Sequence, residues 1–158
     1  MTTGSAAMTA RMTAALVLVL RLALGALLVL AGVLKLRDPT AFATEIANYQ
    51  LLPGGAALLA AVLPSIEVVV GTGLIVLPRA WRRAAAGAAL TLFVMFTGAV
   101  ASAYFRRINI DCGCFGTGGG PISALTLLRN LTLIAAAALL LRLDRPPRQR
   151  PVTPAVSG

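Results

Sequence analysis

Residues 14–34 read AALVLVLRLALGALLVLAGVL, an apolar run interrupted by a single charge, Arg21. A helix rises about 1.5 Å per residue and the hydrocarbon core of a bilayer is about 30 Å thick, so about 20 such residues are enough to cross it. The run lacks the alternation of a barrel strand. In lipid every backbone N–H and C=O must be satisfied within the segment, which leaves the helix. Working outward, three further runs of the same kind follow at residues 54–77, 84–105 and 122–141. The expected fold class is therefore all-α, an integral membrane four-helix bundle. A cleaved leader is the competing reading of the first run. It is set aside because the run holds Arg21 and ends at Lys35-Leu36-Arg37-Asp38 instead of at a small-residue cleavage site.

The composition agrees. Of 158 residues, 58% are apolar and 12% charged, with 15 glycines besides; an ordinary globular domain has about 45–50% apolar residues with glycine included. The net charge of +9 would normally suggest nucleic acid. Here the basic residues stand mostly at the ends of apolar runs, with few aromatics to stack on bases, so no nucleic-acid partner is expected and the charge is read as topology. Arg11, Arg79, Arg82, Arg83, Arg142, Arg145, Arg148 and Arg150 fall on one side, eight against the four of Lys35, Arg37, Arg106 and Arg107. Both termini are then expected to be cytoplasmic, in a multi-pass protein of the cell membrane. Residues 1–13 are expected to be a flexible tail, 14–141 the membrane domain, and 142–158 a disordered Arg/Pro-rich tail.

Between the first two runs, Asp38-Pro39 forms a helix start, and Phe42, Ile46 and Tyr49 recur at helical spacing. A short amphipathic helix at the membrane interface is expected, ending at Pro53-Gly54-Gly55, with its aromatics at headgroup level. A plain connecting helix that covers the bundle is the simpler alternative.

The chemistry-bearing segment is Asp111-Cys112-Gly113-Cys114-Phe115-Gly116, followed by more glycine. Cys112 and Cys114 could close a small disulfide ring across a glycine, away from relaxed Cα spacing, and such a bond suits exchange better than structure. Arg106 and Arg107 lie close enough in sequence to support a thiolate. A structural disulfide and two inert thiols are the alternatives. No metal is expected: the chain has no His and no further Cys, so two thiolates and a distant Met95 fall short of a zinc or copper set. With one dithiol near one face, the other half of any redox couple must come from another protein or from a lipid-soluble oxidant such as quinone.

Three ionisable residues fall inside the runs, where a charge is costly: Arg21, Glu67 and Arg129. Arg21 with Gly25, Leu28 and Gly32, and Glu67 with Ala60, Pro64 and Gly71, lie on small-residue stripes. Counting from the ends of their runs puts Arg21 and Glu67 at similar depth, so the two are expected to pair. A structural ion pair and a proton or ligand site are both open readings.

These residues together resemble the methylamine utilisation protein MauE family, within the wider DoxX-like membrane proteins. The likeness rests on Lys35 with Asp38-Pro39 and Phe42, Asn48-Tyr49, Leu52-Pro53, Pro64 with Glu67 and Gly71, and above all Cys112-Gly113-Cys114-Phe115-Gly116 before Arg129-Asn130. The resemblance implies a redox-associated membrane protein that works with an extracytoplasmic thioredoxin-like protein in maturing a disulfide-containing client, in the family the small subunit of methylamine dehydrogenase. A non-catalytic assembly scaffold is the second reading, and a small-molecule carrier using Glu67 the third.

Overall fold

The computed structural model of the chain describes residues 3–108, 110 and 121–144. It contains α1 (Thr3–Arg37), α2 (Pro39–Asn48), α3 (Ala56–Val76), α4 (Arg79–Phe105) and α5 (Ala124–Leu143). The four longer helices are each long and apolar enough to span a membrane. α1 packs most extensively on α3 and also meets α5, while α4 packs on both α5 and α3, so the ring runs α1–α3–α4–α5. α2 lies against α3 at one end. Outside the ring, Val69, Val76 and Leu125 are 70–74% exposed. An apolar side chain facing water forgoes about 1.5–3 kcal/mol, and three are only a sample of this surface, so its solvent is lipid. The chain is a multi-pass membrane protein with a short helix after the first span, as expected.

Lipid-solvated helices gain little from burying leucine, so they are held by close packing of small residues. Ala89, Ala103 and Ala137 are fully buried, beside Leu28, Leu74 and Leu140. The tightest approach joins α1 to α3. A Cβ added to Gly71 would stand 2.7 Å from the Gly25 carbonyl oxygen, and one added to Gly32 would stand 2.7 Å from that of Pro64. Backbone touches backbone at both points. Pro64 sits inside α3 and lacks the N–H its turn would use, which a membrane helix tolerates where neighbours pack closely.

The helix ends differ from expectation in two places. The first helix starts at Thr3, inside the stretch 1–13 expected to be flexible. Ala, Met and Arg extend a helix at little cost once the apolar span has nucleated it, and the Thr9 and Thr13 hydroxyls donate back to Ser5 O (2.9 Å) and Thr9 O (3.0 Å). The last helix runs to Leu143, two residues into the expected tail, with Asp144 as its C-cap; residues 145–158 lie outside the described residues. In α2, Phe42 is buried and Ile46 packs on the core. That apolar face is turned to the bundle.

Asp38 caps α2 as expected, accepting the Ala41 backbone N–H at 2.9 Å and the Thr40 hydroxyl at 2.9 Å. The Ala41 N–H first, then the Thr40 hydroxyl, hold the Asp38 carboxyl below its usual range. A carboxyl lowered by folding contributes above its unfolded pKa, and loses that contribution as pH falls through the folded one. Amide exchange across α2 should therefore quicken in Asp38→Ala at neutral pH. In the parent, protection measured relative to the intrinsic exchange rate at each pH should fall only below the ordinary Asp value of ~3.9. Equal exchange in both proteins at neutral pH would mean that the cap does not hold the helix.

Candidate functional site at the α2 end of the bundle

The centre of the site is a buried ion pair. Lys35, in the last turn of α1, donates from Nζ to Oε1 of Glu67 in the middle of α3. Lys35 is 3% exposed and Glu67 is fully buried. The close contact of Gly32 with Pro64 and Glu67 sets this register, since it leaves Lys35, one turn further along α1, within reach of the carboxylate. Two rings complete the surroundings of the ammonium: Phe42 of α2 with its centroid at 5.1 Å and Phe96 of α4 at 4.7 Å. In a desolvated place such cation–π contacts are worth about 2 kcal/mol. Three helices thus converge on one lysine.

Arg21 is not the partner of Glu67, contrary to expectation. Its Nε donates to Leu74 O and its Nη2 to Ile75 O, both at 2.9 Å. These carbonyls belong to the last turn of α3, where helical partners run out and the dipole favours a cation, so the guanidinium caps the helix. The expected pairing fails on register. It assumed that both runs end level, whereas Gly25 faces Gly71, which places Arg21 about two turns from Glu67. Lys35, by position a loop charge in the sequence, belongs to the last turn of α1. The signal was present, because the stripe Arg21, Gly25, Leu28, Gly32 continues at the same spacing to Lys35.

Two spaces meet at Lys35. The smaller, about 30 Å³, is lined by Lys35, Glu67, Thr97, Arg129 and Asn130. Among the described residues, Glu67 Oε2 and Asn130 Nδ2 are buried without hydrogen-bond partners, so an acceptor and a donor border a space of about one water. The larger, about 210 Å³, lies between α2, α3 and α4, with Phe42, Ile46, Tyr49, Leu59, Met95 and Phe96 on its wall. Thr97 turns its hydroxyl back to Phe93 O at 2.6 Å.

Arg106 and Arg107 end α4. Arg107 has φ +56°, and its N–H donates to Tyr104 O (3.1 Å) while that of Ile108 donates to Ala103 O (3.0 Å). This is a Schellman turn with arginine where glycine is usual, at a cost of roughly 1 kcal/mol. Arg106 is exposed and reaches α2, donating to Tyr49 O (2.9 Å) and Gln50 Oε1 (3.3 Å). The Ile122 N–H then donates to Ile110 O at 3.2 Å, so the two ends of the cysteine-bearing segment meet. Ser123 caps α5 through a capping box with Thr126. Cys112 and Cys114 lie outside the described residues. Arg129 stands on α5 at the smaller space.

A model of the family described as methylamine utilisation protein MauE matches residues 13–143. The methylamine utilization protein MauE of Paracoccus denitrificans is 44% identical over 121 residues, covering 75% of this chain and 64% of that protein. The protein of the same name from Methylophilus methylotrophus is 38% identical over 107 residues, covering 65% and 55%. The chain thus spans less than two thirds of the length of either relative. No solved structure matches it.

Proposed function

The chain belongs to the methylamine utilisation protein MauE family, and from that membership we propose that it is a thiol–disulfide accessory of methylamine utilisation, with Cys112 and Cys114 as the exchanging pair. The observation that carries this reading is the Cys-x-Cys pair itself, on a segment whose ends are joined by the Ile122–Ile110 hydrogen bond. In the exchange one thiolate attacks a partner disulfide, forming a mixed disulfide and releasing one partner thiolate. The second cysteine then attacks the mixed bond, so that this chain leaves oxidised and the partner leaves as a dithiol; the reverse sequence reduces this chain. The partner is an extracytoplasmic thioredoxin-like protein, acting toward maturation of a disulfide-containing client.

The excess of arginine at the termini and the α3–α4 turn supports a cytoplasmic placement of those ends and an outward cysteine segment. Because Lys35 is buried in an ion pair, it drops out of the count on the α2 side and the bias grows. A membrane-impermeant thiol reagent should label Cys112 or Cys114 on intact cells after mild reduction. Single Cys112→Ser and Cys114→Ser proteins, isolated with free thiols blocked, should carry a covalent partner adduct in unequal amounts, the attacking position giving more. If neither traps a protein and the double Ser variant still supports client maturation, exchange is overturned in favour of a scaffold.

A further inference from the structure

We propose that the space of about 30 Å³ beside the Lys35–Glu67 pair holds one resident water, which donates to Glu67 Oε2, accepts from Asn130 Nδ2 and so joins α3 to α5 inside the bundle. The site stands apart from the exchange reading and does not rest on it. α3 and α5 face each other across the ring and do not pack on one another. Each nevertheless sends a buried polar side chain to this space: Glu67 is fully buried and Asn130 is 6% exposed. Asn130 holds a place on the core face of α5, in line with Leu133, Ala137 and Leu140, where an apolar side chain would pack. Among the described residues neither Oε2 nor Nδ2 has a partner, and buried polar atoms are almost always satisfied by protein or by ordered water.

Size, hydrogen bonding and charge together select water. The space admits a water but lies far below the about 150 Å³ that holds benzene, so an organic ligand does not fit. Oε2 calls for a donor and Nδ2 for an acceptor, so the occupant must be both. A halide has no donor and an ammonium no acceptor. Lys35 and Arg129 also line the space, and their charges oppose a metal cation on Oε2. A third bond is at hand in Thr97, on the wall from α4. Its hydroxyl gives its proton to Phe93 O at 2.6 Å, so its oxygen still accepts. One bond received from Asn130 and two given, to Glu67 and Thr97, make the usual number of about three for a buried water. With Lys35 on Oε1 of the same carboxylate, all four spans meet around this molecule.

The test uses the full chain in detergent with its asparagine side chains labelled with nitrogen-15. The chain has three asparagines, and Asn48→Ser and Asn109→Ser identify the signals of the other two without touching Asn130. The Asn130 amide protons should show rotating-frame transfer to the water resonance with the dipolar sign, opposite to that of chemical exchange, as beside a long-lived water. Absence of that transfer overturns the site. Unfolding midpoints supply the second arm. Asn130→Leu should lower the midpoint of the parent, because Glu67 Oε2 loses the water that Asn130 holds for it. In the Lys35→Met/Glu67→Leu protein the same change should raise the midpoint, since it removes an amide whose bridge has lost its acceptor. Equal shifts in the two backgrounds mean that Glu67 and Asn130 are not linked and overturn the bridge. Exchange of sodium chloride for choline chloride at equal concentration should leave the parent midpoint where it is. A saturable rise with sodium would put a cation in the space and overturn water as the occupant. The transfer measurement on the parent decides the matter if the double variant does not fold.

Discussion

Lys35→Met should destabilise the bundle by about 3 kcal/mol or more, because it leaves Glu67 buried without its cation. The carboxylate is fully buried in the middle of α3, with one oxygen bonded only to Lys35 among the described residues and the other unbonded. Glu67→Leu should cost a similar amount for the converse reason, since it strands an ammonium that is 3% exposed. The double variant Lys35→Met/Glu67→Leu should recover most of the loss, because replacing a buried ion pair by apolar side chains of similar volume is commonly neutral or stabilising. Thermal unfolding of the four proteins in one detergent gives the coupling directly. Arg21→Gln supplies the contrast. It removes the two bonds to Leu74 O and Ile75 O, so its cost should add to that of Glu67→Leu without recovery. Strict additivity of the Lys35 and Glu67 changes would mean that they are not partners.

That contrast marks where the sequence was legible. Four apolar runs without strand alternation leave little choice but four spanning helices, and Asp38-Pro39 announces α2 through the chemistry of a cap. These are local signals. The partner of Glu67 is a matter of register between two helices, and an apolar run has soft ends: α1 extends beyond Leu34 to Arg37, which brings Lys35 into the helix. A shift of two turns exchanged one cation for another. The direction of the apolar face of α2 was likewise open, because a helix with Phe42 and Ile46 on one side can meet lipid or protein, and only the presence of α3 beneath it decides. The 210 Å³ cavity had no local signature at all. It arises from three helices meeting around short side chains such as Ala99, and composition does not say which alanines face each other.

Gly71→Ala should cost about 1–3 kcal/mol, the usual penalty for forcing an extra methyl into a packed contact, although alanine is the better helix former. The new Cβ would stand 2.7 Å from Gly25 O and 2.9 Å from the backbone N of Val29. Neither is the movable end of a side chain, so α1 and α3 would have to separate. Gly87→Ala is the matched control: that glycine lies in α4 with nothing within 4 Å of an added Cβ. It should be neutral or stabilising by up to about 1 kcal/mol through propensity alone. The displacement also reaches the ion pair, because the contact of Gly32 with Pro64 and Glu67 belongs to the same helix–helix seam and fixes the distance over which Lys35 must extend. Lys35→Met/Glu67→Leu should therefore lose less on addition of Gly71→Ala than the parent does, since one element that depends on the spacing has already been removed. Unfolding midpoints for the single, double and triple variants read both effects. If Gly71→Ala matches Gly87→Ala, the two helices do not pack backbone to backbone at this point. If its cost is the same with and without the ion pair, the glycine seam does not position Lys35.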